Sequence, residues 1–303
     1  TNESPSAVYL DEFYKANIMG LDSQIFDVDR VEILRGPQGT LYGRNATGGL
    51  IKYVTKKPGE EFEGFGSVSY GQRSRLKLEG GVGGPIAGIV SGRVSFLHHE
   101  FDGYTENLFP GREDTNALDA TAVRGQLLFE PTDALDISFL VQHYENDNDA
   151  GNSFAHKVVS VDPITGLAVD NPDPTATDAF GYRDPTPNDP RDTNADRDIF
   201  LNVRQFTAIG TIEWDLDVFN AAGLTLTSVT SYEKTEKDAT SESDSGPTIR
   251  GTETHPDAWQ FSQELRLAGE TANFDWLAGF YYFEYQIDGN QRRLSAAGFR
   301  DPV

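Results

Sequence analysis

Residues Arg35 to Gly49 read RGPQGTLYGRNATGG, and the segment that follows, Leu50 to Lys57, reads LIKYVTKK and is strand-like. The first segment holds five glycines and one proline. Glycine allows positive φ and close packing where a side chain would intrude, and proline restricts the turn. A dinucleotide-binding loop needs Gly-x-Gly-x-x-Gly before a helix, and a phosphate-binding loop needs Gly-Lys-Ser/Thr; neither pattern is present. We therefore interpret this segment as a rigid turn packed closely against a wall.

Two earlier segments belong with this turn: Val8–Glu12 reads VYLDE, and Ile25–Arg35 reads IFDVDRVEILR. From about Val8 to Pro58 the sequence resembles the second half of the plug domain of TonB-dependent outer-membrane receptors. The resemblance implies that the loop lets a plug pack on a barrel wall. Its residues are Arg35, Gly36, Pro37, Gly39, Tyr42, Gly43, Arg44, Gly48 and Gly49.

The rest of the chain carries the sequence pattern of a transmembrane barrel, in which segments of about ten residues are apolar at alternate positions. A period of two with one apolar face predicts strands and not helices. Apolar faces of this kind are formed by Leu76, Leu78, Gly80 and Val82; by Val123, Gly125, Leu127 and Phe129; by Leu135, Ile137, Phe139 and Val141; by Phe206, Ala208, Gly210, Ile212 and Trp214; and by Trp259, Phe261, Leu265 and Leu267.

The connections between these strands alternate between short and long. Short turns are expected at Gly83–Gly88, Pro131–Ala134, Asp215–Gly223 and Ala268–Asn273, and long polar stretches at 99–118, 145–198 and 234–257. In an antiparallel meander every second connection lies at the same rim. This order therefore predicts the short periplasmic turns and long extracellular loops of an outer-membrane barrel, whereas a β-sandwich has little reason to sort its loops in this way.

Composition agrees with this fold. The 303 residues carry a net charge of −23, include no cysteine, and contain no apolar run long enough for a membrane-spanning helix. The lack of cysteine excludes disulfides and thiolate metal sites, and the acidic charge gives no basis for a nucleic-acid partner. We predict an all-β transmembrane barrel, built as an antiparallel meander, with an N-terminal α+β plug domain. The partial plug is expected at 1–58 and the barrel portion at 59–303.

About nine strands can be counted, whereas the barrel of the resembled family closes with about twenty-two. The first residues do not resemble a signal peptide, and the N-terminal half of the plug and the motif that engages TonB are not found. We therefore expect the chain to be a fragment of a larger receptor.

The resemblance implies active uptake of a scarce ligand across the outer membrane of a Gram-negative bacterium, driven through the TonB complex of the inner membrane. It implies contact with outer-membrane lipid and lipopolysaccharide, and it implies no catalytic residue and no cofactor. An iron chelate, such as a ferric siderophore, is the expected ligand by analogy with the family. An oligosaccharide, haem or an aromatic compound, taken up by the same mechanism, are alternatives, and a passive porin, a secreted adhesin and an outer-membrane enzyme are rival classes.

Candidate ligand and metal residues are few. Asp147 and Asp149 have the alternating oxygen ligands of a calcium loop, but the downstream glutamate that such a loop needs is missing. The competing interpretation is that these residues belong to an acidic surface loop that binds no metal. His98 and His99 are adjacent on a strand and point to opposite faces. His156 or His255, on the long loops, could serve a haem receptor.

Two further expectations concern the barrel wall. Tyr281, Tyr282, Phe283 and Tyr285 are expected in an aromatic girdle at the membrane interface, with ligand stacking in the lumen as the alternative for every second residue. Glu264 is expected to face the lumen, where a charge walled off by a plug needs a partner. We predict that it pairs with Arg35 or Arg44 of the plug, the alternative being that Glu264 faces water.

Overall fold

The computed structural model describes residues 5–17, 25–42, 46–149, 159–161, 164–165, 168–170, 191–195, 197–216, 223–242, 250–270 and 273–295. Within them the one helix is a single turn, and no helix there could cross a lipid bilayer.

The N-terminal part is a small four-stranded sheet. It contains β1 (Ser6–Leu10), β2 (Phe13–Tyr14), β3 (Val28–Arg35), the one-turn helix α1 (Gly39–Tyr42) and β4 (Gly49–Thr55), and its strand order is β2-β1-β4-β3. Strand β1 runs parallel to β4, and β3 runs antiparallel to it. We call residues 5–58 the plug, after the resemblance. The predicted domain boundary at 58/59 falls between β4 and the next strand.

The remainder is mostly one large antiparallel sheet. Its elements in chain order are β5 (Glu63–Tyr70), β6 (Leu76–Ala87), β7 (Val90–Phe101), β8 (Glu106–Asn107), β9 (Leu118–Thr132), β10 (Leu135–Asn148), β11 (Val159–Val161), β12 (Ala168–Asp170), β13 (Asp192–Thr193), β14 (Leu201–Asp215), β15 (Leu224–Glu242), β16 (Arg250–Glu270) and β17 (Asp275–Ser295). Nine of these strands form the sheet in the order β17-β16-β15-β14-β10-β9-β7-β6-β5. We call this sheet the wall. The predicted all-β meander with a plug is confirmed, and in the described chain the wall is an open part of a barrel with edges at β5 and β17.

Burial along the wall is reversed relative to a soluble sheet. In β9 the apolar Val123 and Leu127 are 48% and 40% exposed, whereas Arg124 and Gln126 between them are buried. In β16 Leu265 is exposed and Gln260 is buried. The polar side chains are buried because they face the plug, and the apolar ones form the outer face that a membrane strand presents to lipid. The predicted apolar faces are therefore confirmed.

Two of the four predicted tight turns coincide with hairpin turns of the wall. Only residues 88–89 separate β6 from β7, where Gly88 has φ 51, so most of the predicted turn Gly83–Gly88 is strand; only 133–134 separate β9 from β10. The predicted turns Asp215–Gly223 and Ala268–Asn273 include residues that lie outside the described ones. One predicted loop is wrong. The stretch 234–257 is largely strand, since β15 pairs with β16 from Leu224↔Gly269 to Glu242↔Gly251. This part of the hairpin is polar on both faces, so it has no apolar period, and its backbone hydrogen bonds do not depend on one.

Candidate functional site: the interface between plug and wall

The plug packs against the inner face of the wall mainly through buried side chains. Two apolar clusters are part of this contact. Leu10 and Phe13 of the plug lie with Leu140, Ile209 and Val229 of the wall, and Phe26 lies with Leu97, Ala120, Ala122 and Tyr144. Between these clusters, charged and amide groups of the wall bind the plug at separate points.

The first polar contact is centred on Asp27, just before β3. Arg93 of β7 binds its carboxylate with two hydrogen bonds, Nε to Oδ2 and Nη2 to Oδ1, both 2.7 Å long. The side chains of Arg93 and Asp27 are only 1% and 2% exposed. Ser95 donates a further hydrogen bond to Oδ2, and the Asp27 amide donates to Glu79 Oε1 at 3.2 Å. A bidentate arginine–carboxylate pair is the strongest geometry of such a bond, so Asp27 is an anchor of the plug.

Arg124 of β9 holds the same segment from the other side. Its Nη1 donates to the carbonyl oxygens of Phe26 and Asp27, at 3.0 and 3.3 Å, and its guanidinium carbon lies 4.2 Å from the centre of the Phe26 ring. Gln142 of β10 accepts a hydrogen bond from Arg124 Nε at 2.9 Å. Arg93 and Arg124 of the wall therefore bind both the Asp27 side chain and the backbone carbonyls of the segment that leads into β3.

The wall makes room for this anchor with a glycine. A Cβ atom at Gly81 would lie 3.0 Å from Asp27 Oδ2 and 3.1 Å from Arg93 Nη2, tighter than ordinary contact. Burial raises the pKa of Asp27, but the hydrogen bonds from Arg93 and Ser95 and the charges of Arg93 and Arg124 outweigh it, so the pKa lies below its ordinary value. Asp27 is therefore a carboxylate at neutral pH.

The second contact is formed by Lys15, after β2. Its fully buried ammonium lies 2.7 Å from Glu233 Oε2 of β15 and 3.0 Å from Gln205 Oε1 of β14. Thr207 donates to the same glutamate oxygen at 3.0 Å. The pairing matters because an unpaired charge at this depth is strongly unfavourable.

The third contact follows the chain from Glu12 to Ala16. Gln260 of β16 accepts a hydrogen bond from the Ala16 amide at 2.9 Å and donates to the Tyr14 carbonyl at 2.6 Å. Glu12 lies between Lys52 of the plug and Arg266 of β16, at 2.5 and 2.9 Å. Burial raises the pKa of Glu12, but Lys52 and then Arg266 outweigh it, and the pKa lies below its ordinary value.

The interface is not closed everywhere. A cavity of about 480 Å³ separates the end of β4 from β9, β10 and β14, near the short-turn rim. Its lining includes Lys52, Thr55 and Lys56 of the plug and Gln126 and Glu213 of the wall. The plug is thus joined to the wall at separate points with polar space between them.

The glycine-rich loop makes its close contacts within the plug. At Gly36 and Gly39 a Cβ would meet nothing within 4 Å, and at Gly48 and Gly49 it would meet Pro5 and Leu34, which also belong to the plug. These four glycines approach no residue of the described part of the wall, and the expectation that the loop lets the plug pack on the barrel stays a prediction. Gly36 and Gly49 have φ of 84° and 133° because the chain turns sharply out of β3 and back into β4.

The other predicted loop residues that the structure describes are either exposed or contact the plug itself. Arg35 and Pro37 are exposed. The Tyr42 carbonyl accepts a hydrogen bond from the Tyr9 hydroxyl at 2.8 Å, and the two rings lie 5.3 Å apart, so Tyr42 stabilises the plug itself. Gly43 and Arg44 lie outside the described residues.

Glu264 faces the lumen side, but the ion pair that it forms in the described chain is with Arg266 of its own strand, at 3.5 Å. Its expected pairing with Arg35 is not formed, because Arg266 is two residues away on the same face and Arg35 is exposed at the end of β3. The pairing with Arg44 stays a prediction. The residue of the plug that reaches this site is Glu12, through Arg266.

Two other expectations have partial outcomes. Phe283 faces the plug, with its ring 6.0 Å from that of Tyr14, and it stacks on Tyr281 at 6.3 Å, so these two rings lie on the lumen face and not in a lipid-facing girdle. No group of three or more His, Cys, Asp or Glu side chains that could hold a metal ion occurs among the described residues. Asp147 is exposed one residue before the end of β10, and the residues that follow Asp149, 150–158, lie outside the described ones, so the calcium loop stays a prediction.

Comparison with known proteins agrees with this geometry. Residues 2–50 match the family model of the TonB-dependent Receptor Plug Domain. The pesticin receptor of Yersinia pestis is 36% identical over 108 residues, which cover 35% of this chain and 16% of that receptor. The ferric aerobactin receptor of Klebsiella pneumoniae is 34% identical over 117 residues, which cover 37% of this chain and 15% of that receptor.

Solved structures show the same fold. The ferric yersiniabactin uptake receptor FyuA from Yersinia pestis superposes with a TM-score of 0.74 at 19% identity, over 96% of this chain and 41% of that one. The ferripyoverdine receptor of Pseudomonas aeruginosa gives a TM-score of 0.70 at 16% identity, over 94% of this chain and 36% of that one. The chain thus spans less than half of the length of the proteins that it matches.

Proposed function

We propose that this chain, which carries a TonB-dependent receptor plug domain and part of the matching barrel, belongs to a receptor that imports a ferric siderophore. The receptor lies in the outer membrane of a Gram-negative bacterium, among lipid and lipopolysaccharide. Its transport is driven by the TonB complex of the inner membrane. The protein performs no catalysis, since its task is to bind a ligand and let it pass.

The observation that carries this proposal is the buried polar attachment of the plug to a wall with an apolar outer face. A passive pore needs a polar lumen but has no reason to hold a folded domain there through Asp27 and Lys15. A soluble β-protein has no reason to expose Val123 and Leu127 on its outer face while it buries Arg124 between them. A plugged transport barrel accounts for both features.

The cargo class rests on the relatives. The names of several of them specify ferric chelates, among them the aerobactin receptor and the yersiniabactin uptake receptor. Another relative, 24% identical over 130 residues, is a vitamin B12 transporter of Vibrio vulnificus. A ferric siderophore is therefore the first ligand to test, and a cobalamin is the comparison.

The test is uptake by whole cells. The complete receptor is expressed in a Gram-negative host without siderophore receptors of its own, in one strain with TonB and in one without it. Cells are given radioactive iron bound to a panel of siderophores, and radioactive cobalamin in parallel. We expect at least one ferric siderophore to accumulate, and only in the strain with TonB.

Two results would contradict the proposal. Uptake that persists without TonB would indicate a passive porin. Uptake of cobalamin without uptake of any iron chelate would mean that the cargo is a cobalamin and not a ferric siderophore. Conductance provides a second measurement, because removal of residues 1–58 should open a plugged receptor and should change a plugless porin little.

A further inference from the structure

The lumen face of β6 and β7 continues beyond the plug towards the rim with the long loops. In β7, Arg93 and Ser95 bind Asp27, and Leu97 packs on Phe26. Because alternate residues of a strand share a face, His99 and Phe101 are the next two side chains on this face. His99 is four positions beyond Ser95, which places the histidine roughly 13 Å farther along the strand. This part of the lumen lies beyond the plug residues that the structure describes.

Arg75, the residue before β6, contacts both of these side chains. Its Nε donates to His99 Nε2 at 3.2 Å, and its guanidinium carbon lies 5.9 Å from the centre of the Phe101 ring. The rings of His99 and Phe101 are 5.6 Å apart and inclined by 57°. An acceptor Nε2 requires the neutral ring with its proton on Nδ1. His99 therefore orients the arginine without adding a charge.

The charge of Arg75 is not neutralised by a nearby carboxylate. None of the ion pairs found among the described residues includes it, although the chain has a net charge of −23. Its neighbour on the same face, Lys77, is paired with Glu79 at 3.0 Å. Arg75 is exposed, so its remaining N–H groups face the lumen solvent.

The turn that carries Arg75 has an unusual backbone. Arg73 and Ser74 have φ of 58° and 53°, a region that residues with side chains rarely adopt. The turn is held in place by hydrogen bonds from the Asp102 amide to the Arg73 carbonyl, 2.9 Å, and from Arg73 Nη1 to the Gly103 carbonyl, 2.8 Å. Positive φ at both central residues is what the tight turn of a β-hairpin requires, and the Arg75 amide closes this one by donating to the Gln72 carbonyl at 3.3 Å. Here the turn sets the direction of Arg75.

We propose that Arg75, His99 and Phe101 form a ligand-binding site for an anionic oxygen group on an aromatic ring, such as a catecholate or phenolate of a ferric chelate. Arg75 donates its free N–H groups to the anionic oxygens, and the Phe101 ring packs against the ring of the ligand. His99 is a positioning residue. The inference rests on the proposed uptake function and adds to it the chemical class of the ligand.

The experiment measures equilibrium binding of radioactive ferric chelates to intact cells at low temperature, with the complete receptor. The probes are a ferric tris-catecholate, which is anionic, and a ferric hydroxamate, which is uncharged. For Arg75→Gln we expect Kd for the catecholate to rise about tenfold, because a hydrogen bond to a charged group is lost. Kd for the hydroxamate should change less than about twofold. Arg75→Glu should weaken catecholate binding further.

The control is Arg204→Gln. Arg204 is also an exposed arginine near the long-loop end of a strand, but it lies on the outer face and pairs with Glu145 at 2.6 Å. Arg204→Gln should leave the affinities for the catecholate and for the hydroxamate unchanged. His99→Gln, which keeps an acceptor for Arg75, should retain more affinity than His99→Ala, and equal loss in both would remove the positioning role.

The outcomes separate the two proposals. If the unaltered receptor binds no ferric chelate, the proposed function fails, and this inference fails with it. If it binds the catecholate and Arg75→Gln binds it equally well, the uptake function stands and the site is overturned. Binding of the hydroxamate alone overturns the ligand class.

Discussion

The sharpest test of the interface is Asp27→Asn. Asparagine tolerates the positive φ of 44° at this position, so the substitution removes the charge and leaves the backbone conformation available. Arg93 then stays buried, with only Glu63 beside it, at 3.3 Å. Removal of one partner from a buried ion pair destabilises by about 3 to 5 kcal/mol. The remaining ion pair with Glu63 compensates some of this loss, so the lower end of the range applies.

The assay is amide hydrogen exchange of β3 and β4 in the complete receptor in detergent. A loss of about 3 kcal/mol corresponds to exchange faster by on the order of 100-fold for amides that exchange through release of the plug. The matched control is Asp29→Asn, because Asp29 is half-exposed, pairs with Arg30 at 2.8 Å, and should contribute less than about 1 kcal/mol. An increase below about threefold for Asp27→Asn would refute the anchor, as would an equal effect of the control.

Three further outcomes are expected. Because the pKa of Asp27 lies below its ordinary value, its contribution to plug stability should be complete above the unfolded pKa of about 3.9 and be lost as pH falls through the lower folded value; hydrogen exchange of β3, corrected for intrinsic rates, should show no loss of protection between pH 7 and pH 5. Gly81→Ala should loosen the plug in the same assay, whereas Gly125→Ala, where a Cβ meets nothing within 4 Å, should not. Leu265→Arg places a charge on the lipid face at a cost of about 2 to 4 kcal/mol and should reduce the heat-modifiable folded band in outer-membrane fractions far more than Glu264→Gln; equal tolerance would mean that β16 is not a membrane strand.

The wall was predictable because its signal is local. The alternation in Val123, Arg124, Gly125 and Gln126 predicts both a strand and which residues share each of its faces. In the structure the polar residues are buried, as a plugged barrel requires. The upper part of the hairpin of β15 and β16 was not predictable in this way, since residues beyond Lys234 have no apolar face. The two strands continue there because the backbone groups of β15 and β16 remain hydrogen-bonded to each other.

The interface was harder to predict because its pairs are distant in sequence. Asp27 is one of several charged residues in its segment, and 66 positions separate it from Arg93. The hydrophobic periodicity of either segment gives no information on the contact between Asp27 and Arg93. A usable signal was the isolated arginine on the lumen face of β7, because a buried guanidinium needs an acceptor. The glycine-rich turn is conspicuous by its composition, whereas Gly81, which makes room for the Asp27 anchor, is one glycine in a strand of the wall.

The polar character of the attachment decides how the plug can come loose. An apolar contact opens only when a whole layer of surface is wetted, whereas a hydrogen bond such as that of Gln260 to the Tyr14 carbonyl can be exchanged for one to water by itself. Each exchange costs only about 1 kcal/mol, and the cavity beside β4 gives water a place from which to enter. Release can therefore proceed as a succession of small replacements, with the ion pairs of Asp27 and Lys15 as the two steps that resist, and the same water can be expelled again when the plug returns.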